Sequence, residues 1–453
     1  MSVRIASSAL YERLTLGWAP WDRREADLGD PDPWLHAQLH PGSEPAALRT
    51  RLAALETLEL TPKALFDRYL PPRAQRRDPQ VRREYRRRAR TIYRQAFAAR
   101  VLRGLHSPWQ LRELLVDFWF NHFNVFAGKG LCRLWVGAFE TQAIRPHVFG
   151  RFRDLLLATA RHPAMLFYLD NWLNTAPGSP GARGRMRGLN ENYAREVMEL
   201  HTIGLGYTQA DVAGATHLLT GWGLDRRTGF AFDPDRHDFS SQTVLGRRFS
   251  GGEAEVFAFL DFLAAHPATA RHVSREMARY FVADRPADAL VDHMAANFLS
   301  SKGDLRALTG AMIEHPAFAR AAARRDKFRT PYRYVLATLR ACGCEVREFR
   351  PLIGILRRLG QPLYGCLSPN GWPSTASAWL SPDALAARLD FAVALGGGWL
   401  PLDPGRPRGE PYVIIAPAAG DSFWGRRERA AWAAAPQRLR PAVRLGAPAM
   451  QYC

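Results

Sequence analysis

The chain has 453 residues, 47% of them hydrophobic and 23% charged, with a formal net charge of +19. This composition excludes a disordered chain and supplies enough apolar material for one large or two moderate domains. No run approaches the length of a membrane span.

The opening residues lack a basic-then-apolar leader, and Arg23-Arg24 is followed by acids rather than an apolar run, so the expected location is the cytoplasm. Export is the alternative if the N-terminus is incomplete or a partner carries the signal. Residues 45–70 read as one or two helices and residues 80–105 as another. In the latter, Tyr85, Ile92, Tyr93, Phe97 and Val101 recur at helical spacing beneath a dense run of arginines. This is an amphipathic helix with a basic, solvated face. Of the 62 basic residues only Lys63, Lys129, Lys302 and Lys327 are lysines. Such a bias reflects coding composition more readily than a nucleic-acid surface, and no nucleic-acid reading module accompanies it. Specific nucleic-acid binding is therefore not expected, and an acidic protein or an anionic polymer is the better-matched partner.

Ser107-Pro108 opens a helix through Leu111, Leu114, Leu115 and Phe118. Residues 140–171 form a long or broken helical pair, interrupted at Pro146 and Pro163. Residues 175–188, rich in Gly, Pro and Arg, form the clearest loop, either a lid over the segment that follows or simply a long connection. Residues 208–220 are helical with Thr208 as cap. Residues 225–250 are extended, with short strands at 230–232 and 243–245. Helices resume over 253–320, where His266-Pro267 and His315-Pro316 open two similar passages, and over 327–400, with a loop at 361–381. Residues 401–453 are Pro- and Arg-rich with one apolar run at 412–415. The expected fold is mainly α, a multi-helical globular domain with a small β element around 225–250. Residues 1–330 form the main helical part, and residues 331–453 a helical to irregular part packed on it. Five cysteines, Cys132, Cys342, Cys344, Cys366 and Cys453, make neither a disulfide framework nor a zinc spacing, and read as buried free thiols.

The most informative segment runs from Asn190 to His201. At about 100° per residue, Glu191, Asn192, Arg195, Glu196 and Glu199 share one arc, while Tyr193, Val197 and Leu200 face the other way. Three acids on one face repel unless a cation, a proton or a partner compensates, and Arg195 offsets only part of that. The face is either a solvated surface, with Asn190 as cap, or part of a site. The segment has neither the His-Glu-x-x-His spacing of zinc proteases nor the Glu-x-x-His pairs of di-iron bundles. Asn121-His122 lies among Phe118, Trp119, Phe120, Phe123 and Phe126, as a core histidine or as a ligand or base whose basicity burial has lowered. His237-Asp238 follows the extended stretch, where the pair suits a turn, a metal or acid–base work.

Several blocks together resemble one family. They are Arg13-Leu14-Thr15-Leu16-Gly17, Phe118-Trp119-Phe120-Asn121-His122-Phe123, the Asn190–His201 segment, Thr220-Gly221-Trp222, His237-Asp238 with Leu245-Gly246, His266-Pro267-Ala268-Thr269-Ala270, Gly360-Gln361 and Asn370-Gly371-Trp372-Pro373. In this order they resemble the bacterial domain-of-unknown-function family numbered 1800, across nearly the whole chain. The resemblance implies no settled activity. It implies relatives that often look exported and are often encoded beside a second exported protein. The family pattern places a Gly and a Lys soon after the His-Asp pair; here Ser240, Ser241 and Gln242 stand there, which implies an altered activity if that Lys is functional.

The leading expectation is an enzyme with one polar pocket doing hydrolytic or other acid–base chemistry on an unknown small molecule or polymer. Glu191, Glu196, Glu199, His122 and Asp238 are its candidate catalytic residues. Asn121, Asn190, Arg195, Trp222 and Trp372 are its candidate substrate-binding residues. His201 and His237 are candidate ligands for a divalent metal, the one cofactor considered. The alternative is a non-catalytic partner or assembly protein that docks an acidic or exported partner through its Arg-rich surface.

Overall fold

Short amphipathic helices joined by Pro- and Gly-bearing turns build this chain. The computed structural model describes residues 7–22, 30–71, 73–75, 77–225, 229–412, 414 and 425–453. Among these are 22 α-helices and two two-stranded sheets, so the protein is mainly α. No helix among the described residues is long and apolar enough to cross a membrane. Of the expected apolar run at 412–415, residues 413 and 415 lie outside the described residues.

The longest helix, Pro79–His106, begins with Asp78 accepting from the Gln80 amide at 2.7 Å and Pro79 in the first turn. Its second half, from Ala96 to Leu105, is buried, whereas its Arg-rich first half stands in solvent. The helix Gln110–His122 follows at the centre of the core, with Leu111, Leu114, Leu115, Trp119 and Phe123 fully enclosed. Ser107 caps its approach by accepting from the Trp109 amide. The segment expected to break at Pro146 and Pro163 does so. A π-helical stretch, Phe139–Ile144, passes into a 3-10 turn, Arg145–His147, and then into the helices Phe152–Arg161 and Pro163–Tyr168.

The two His-Pro passages have a local cause, and a third shares it. His162, His266 and His315 each precede a proline at the first helical position. Each accepts, through Nδ1, from the backbone amide two residues on, at 3.1, 3.1 and 3.2 Å. The imidazole thus does the work of an Asn or Asp cap.

Strand β1 (Trp222–Gly223) pairs antiparallel with β2 (Ala231–Phe232), and β3 (Gln242–Val244) with β4 (Arg247–Phe249). The second hairpin turns on Leu245 at φ 51° and Gly246 at φ 75°. Two successive positive φ values suit the twist of a two-residue hairpin. Asp211 holds the strained Leu245 by accepting from its amide at 2.6 Å.

Arginines tie distant parts of the chain together from within. Arg13 donates to the carbonyls of Ala321 and Val282, Arg329 to that of Met450, and Arg388 to that of Arg329 and to Gln451. Arg340 donates to the Gly17 and Leu105 carbonyls at 2.7 Å each and pairs with Asp22. Each of these four side chains is at most 1% exposed. Buried guanidinium groups require partners, and five fixed donors satisfy several carbonyls at once.

Candidate functional site

The acidic segment forms the helix Asn192–Glu199, which buries Tyr193, Ala194, Val197 and Met198. The opposite face is a hydrogen-bonded surface. Glu191 accepts from Arg195 at 3.2 Å and from Gln209 at 3.0 Å, and Arg195 also reaches Gln209. Glu191 and Arg195 remain 43% and 39% exposed, so their ion pair is well solvated. Glu199 accepts from the Tyr207 hydroxyl. Glu196 is half-buried; burial first, then Glu199, pushes its carboxyl above the usual range, with Arg195 opposing. Asn190 lies one position outside the expected cap. Its side chain accepts from the Asn192 amide at 3.2 Å, its own amide donates to buried Asn174, and Glu191 takes the cap position without a side-chain bond.

The histidines meet this helix at its C-terminal end. His122 donates from Nε2 to the His201 carbonyl at 3.1 Å, and His272 donates to the Leu200 carbonyl at 3.1 Å. These carbonyls lie just past the last helical turn, where acceptors need outside donors. The His122 ring lies 6.3 Å from His201 and 6.1 Å from His272, centre to centre. Burial pushes His122 down to about 3 and His201 well below its ordinary value, with the neighbouring imidazoles adding to both effects. His201 is 1% exposed, and its Nε2 has no partner among the described residues.

His237 and Asp238 are placed elsewhere. His237 donates from Nδ1 to the Thr220 carbonyl at 2.8 Å and accepts through Nε2 from the Gly252 amide at 2.9 Å. Both ring nitrogens are engaged, which leaves none for a metal in this arrangement. Asp238 accepts from His217 Nδ1 at 2.5 Å and from the Ser240 amide at 2.8 Å. The partner of Asp238 is thus His217, 21 residues back on the helix Gln209–Leu218, and not its sequence neighbour. Among the described residues no group of three or more His, Cys, Asp or Glu is arranged to hold a metal ion.

Asn121 and Trp372 meet at a tight polar cleft, whereas Trp222 is fully enclosed and packs edge-on against Phe230 and Phe257 in the core. The cleft holds a space of about 30 Å³, the size of one water. Arg100, Asp117, Tyr280, Gln361 and Tyr364 are among its other polar lining residues. Arg100 donates to Glu140 at 3.0 Å and pairs with Asp117, which also accepts from Tyr280 at 2.6 Å; Tyr364 donates to Glu140 at 2.8 Å. Burial works against the Arg100 charge, but Glu140 and then Asp117 outweigh it and hold the group firmly cationic. Phe120 and Tyr332 lie 5.2 Å from the guanidinium and Tyr364 5.6 Å.

The predicted residues therefore fall into three neighbourhoods. One is the acidic face with the histidines at its end, the second is the Thr220–His237–Gly252 cluster, and the third is the Asn121–Trp372 cleft. The 175–188 loop is fastened rather than free. Thr175 donates to the Gly188 carbonyl, Ala176 to that of Arg236 and Gly181 to that of Asp235, and Arg236 bonds to the Trp172 carbonyl and to Asp233. Arg100, Asp117, Glu140 and His217 escape a sequence reading because each lies within a helical pattern and finds its partner through folding.

The family model described as Protein of unknown function (DUF1800) matches residues 9–446. No curated protein matches the chain. No solved structure matches it either.

Proposed function

We propose, from the premise that this chain belongs to the DUF1800 family, that it is a non-catalytic partner protein which docks an acidic segment of another protein. The observation that carries this reading is a groove of about 640 Å³ lined by Arg83, Arg86, Arg87, Arg90 and Arg133, with Glu84 as the acid on its wall. Glu84 is shared by Arg87 and Arg88. Arg83, Arg86 and Arg133 have no carboxylate partner among the described residues. Converging like charges raise the local potential and favour an anionic occupant. The four helical arginines span only about 10 Å of axis, and the lining carries no aromatic ring on which a base could stack. A short acidic peptide fits these features better than nucleic acid.

The test is fluorescence anisotropy with a labelled oligoglutamate peptide and, separately, a DNA duplex. Peptide binding should weaken with salt and fall at least about tenfold when Arg83, Arg86, Arg87 and Arg90 are all changed to Ala. Unchanged peptide binding in that variant sinks the proposal, and tighter retention of the duplex transfers the groove to nucleic acid.

A second reading, acid–base catalysis at the acidic helix, draws on the half-buried Glu196 beside Glu199 and Tyr207. A raised carboxyl is what a general acid requires. A metal-assisted hydrolase in this reading would bind one transition metal per chain, which elemental analysis of purified protein checks directly.

A further inference from the structure

The 175–188 loop borders a second cavity, unconnected with the basic groove. Its residues Arg185 and Met186 close one side of a space of about 510 Å³. That volume lies within the roughly 300–1,000 Å³ typical of small-molecule sites. The opposite walls are aromatic. Phe167 stacks on Trp172 at 5.6 Å with the planes 9° apart, Phe66 stacks on Trp135 at 6.3 Å and 17°, and Trp135 meets Phe167 edge-on at 6.1 Å.

The polar groups on this cavity are mainly donors. The Arg185 guanidinium lies 6.0 Å from the Trp172 ring centre and has no carboxylate partner among the described residues. Lys63 pairs with Asp67, and Asp225, the acid on the lining, is itself engaged. The cation left on the lining beside the stacked rings is therefore Arg185.

The anchoring of the loop makes this a built wall. Arg236, 6% exposed, holds the Trp172 carbonyl at 2.9 Å and touches the Met186 sulfur at 3.4 Å, so a single guanidinium fixes both sides of the cavity. At Gly181 a Cβ would lie 2.4 Å from Arg236 Cγ, which shows how closely the loop seats on that side chain.

We propose that this cavity binds a planar aromatic anion, its ring against the Phe167–Trp172 wall and its negative group toward Arg185. Stacked rings supply area and shape; the guanidinium supplies the preference for an acid over its neutral analogue.

Calorimetric titration of the full chain with naphthoate, and with naphthalenemethanol as the uncharged control, tests this. Naphthoate should saturate a single site per chain and bind more tightly than the alcohol. Arg185→Gln, a change at an exposed position, should weaken naphthoate about fivefold and leave the alcohol unchanged. Trp172→Leu should weaken both. The variant lacking the four groove arginines should bind naphthoate normally, so failure of the partner reading and failure of this one are separable. Absence of saturable naphthoate binding overturns the proposal. So does equal affinity for acid and alcohol, indifference to Arg185→Gln, or loss of binding in the groove variant.

Discussion

The Asn121 side chain and the Trp372 backbone exchange two hydrogen bonds: Nδ2 donates to the Trp372 carbonyl at 2.9 Å, and Oδ1 accepts from the Trp372 amide at 2.7 Å. The amide mimics a strand neighbour and locks the 370–373 turn onto the central helix. Gly371 permits it, since it sits at φ 72° and a Cβ there would lie 2.3 Å from the Asn121 carbonyl oxygen. Asn121→Leu should cost about 2 kcal/mol by leaving both Trp372 groups without their partner. Gly371→Ala should cost at least as much, from positive-φ strain and collision together. Urea midpoints for the two variants check this, and a loss below about 0.5 kcal/mol in either contradicts the clamp.

Acid should weaken the fold before the carboxylates titrate. Burial holds the His162 imidazole at about 3, against an ordinary value of 6.5. The folded-state value is depressed, so in this window the unfolded chain binds a proton that the folded chain refuses. Stability is highest above pH 6.5 and falls as pH drops toward 3, by about 1.4 kcal/mol per pH unit per such group. His162→Asn keeps a cap-competent side chain but removes the titration. Its urea midpoint should change less than the parent's between pH 6.5 and 5, and parallel curves would rule out this role.

Glu196 works in the opposite sense. Its carboxyl is raised by burial and by Glu199, so its charged form is unfavourable in the folded protein, and the penalty is present above the folded value and fades as pH falls toward 4.5. Glu196→Gln should therefore leave the melting temperature at pH 7 unchanged or slightly higher, with the difference vanishing in acid. A clear drop at pH 7 would mean that the charge is needed for folding. Unchanged stability with loss of any activity or bound metal would favour the catalytic reading of this helix.

All five cysteines are buried and free. A thiol reagent should label almost none of them in native protein and all five after denaturation. Rapid native labelling of even one would indicate local opening at that position.

Much of the backbone plan was legible in the sequence, and the chemistry much less so. The helix at 192–199 announces itself because Tyr193, Val197 and Leu200 recur at helical spacing, and the strands expected at 230–232 and 243–245 because that period lapses there, although Leu245 sits in the hairpin turn rather than in a strand. The role of Arg340 is invisible by the same logic. It sits in an apolar stripe, and its carbonyl partners Gly17 and Leu105 lie 323 and 235 residues away. His237-Asp238 misleads for a related reason, since adjacency in sequence says nothing of which residue turns toward His217. The His-Pro caps could have been found locally, because an acceptor ring followed by proline meets both requirements of a helix start.

The internal arginine ties also bear on how the chain is made. Arg13 finds the Ala321 carbonyl 308 residues later, and Glu12 meets Arg329 317 residues later. At roughly 5–20 residues per second, the helix Ser7–Leu14 leaves the ribosome about 15–60 s before its partners exist. For that interval a guanidinium and a carboxylate destined for the interior stand beside uncovered Leu10, Tyr11 and Leu14. Synthesis rate therefore sets how long the N-terminal segment stands uncovered.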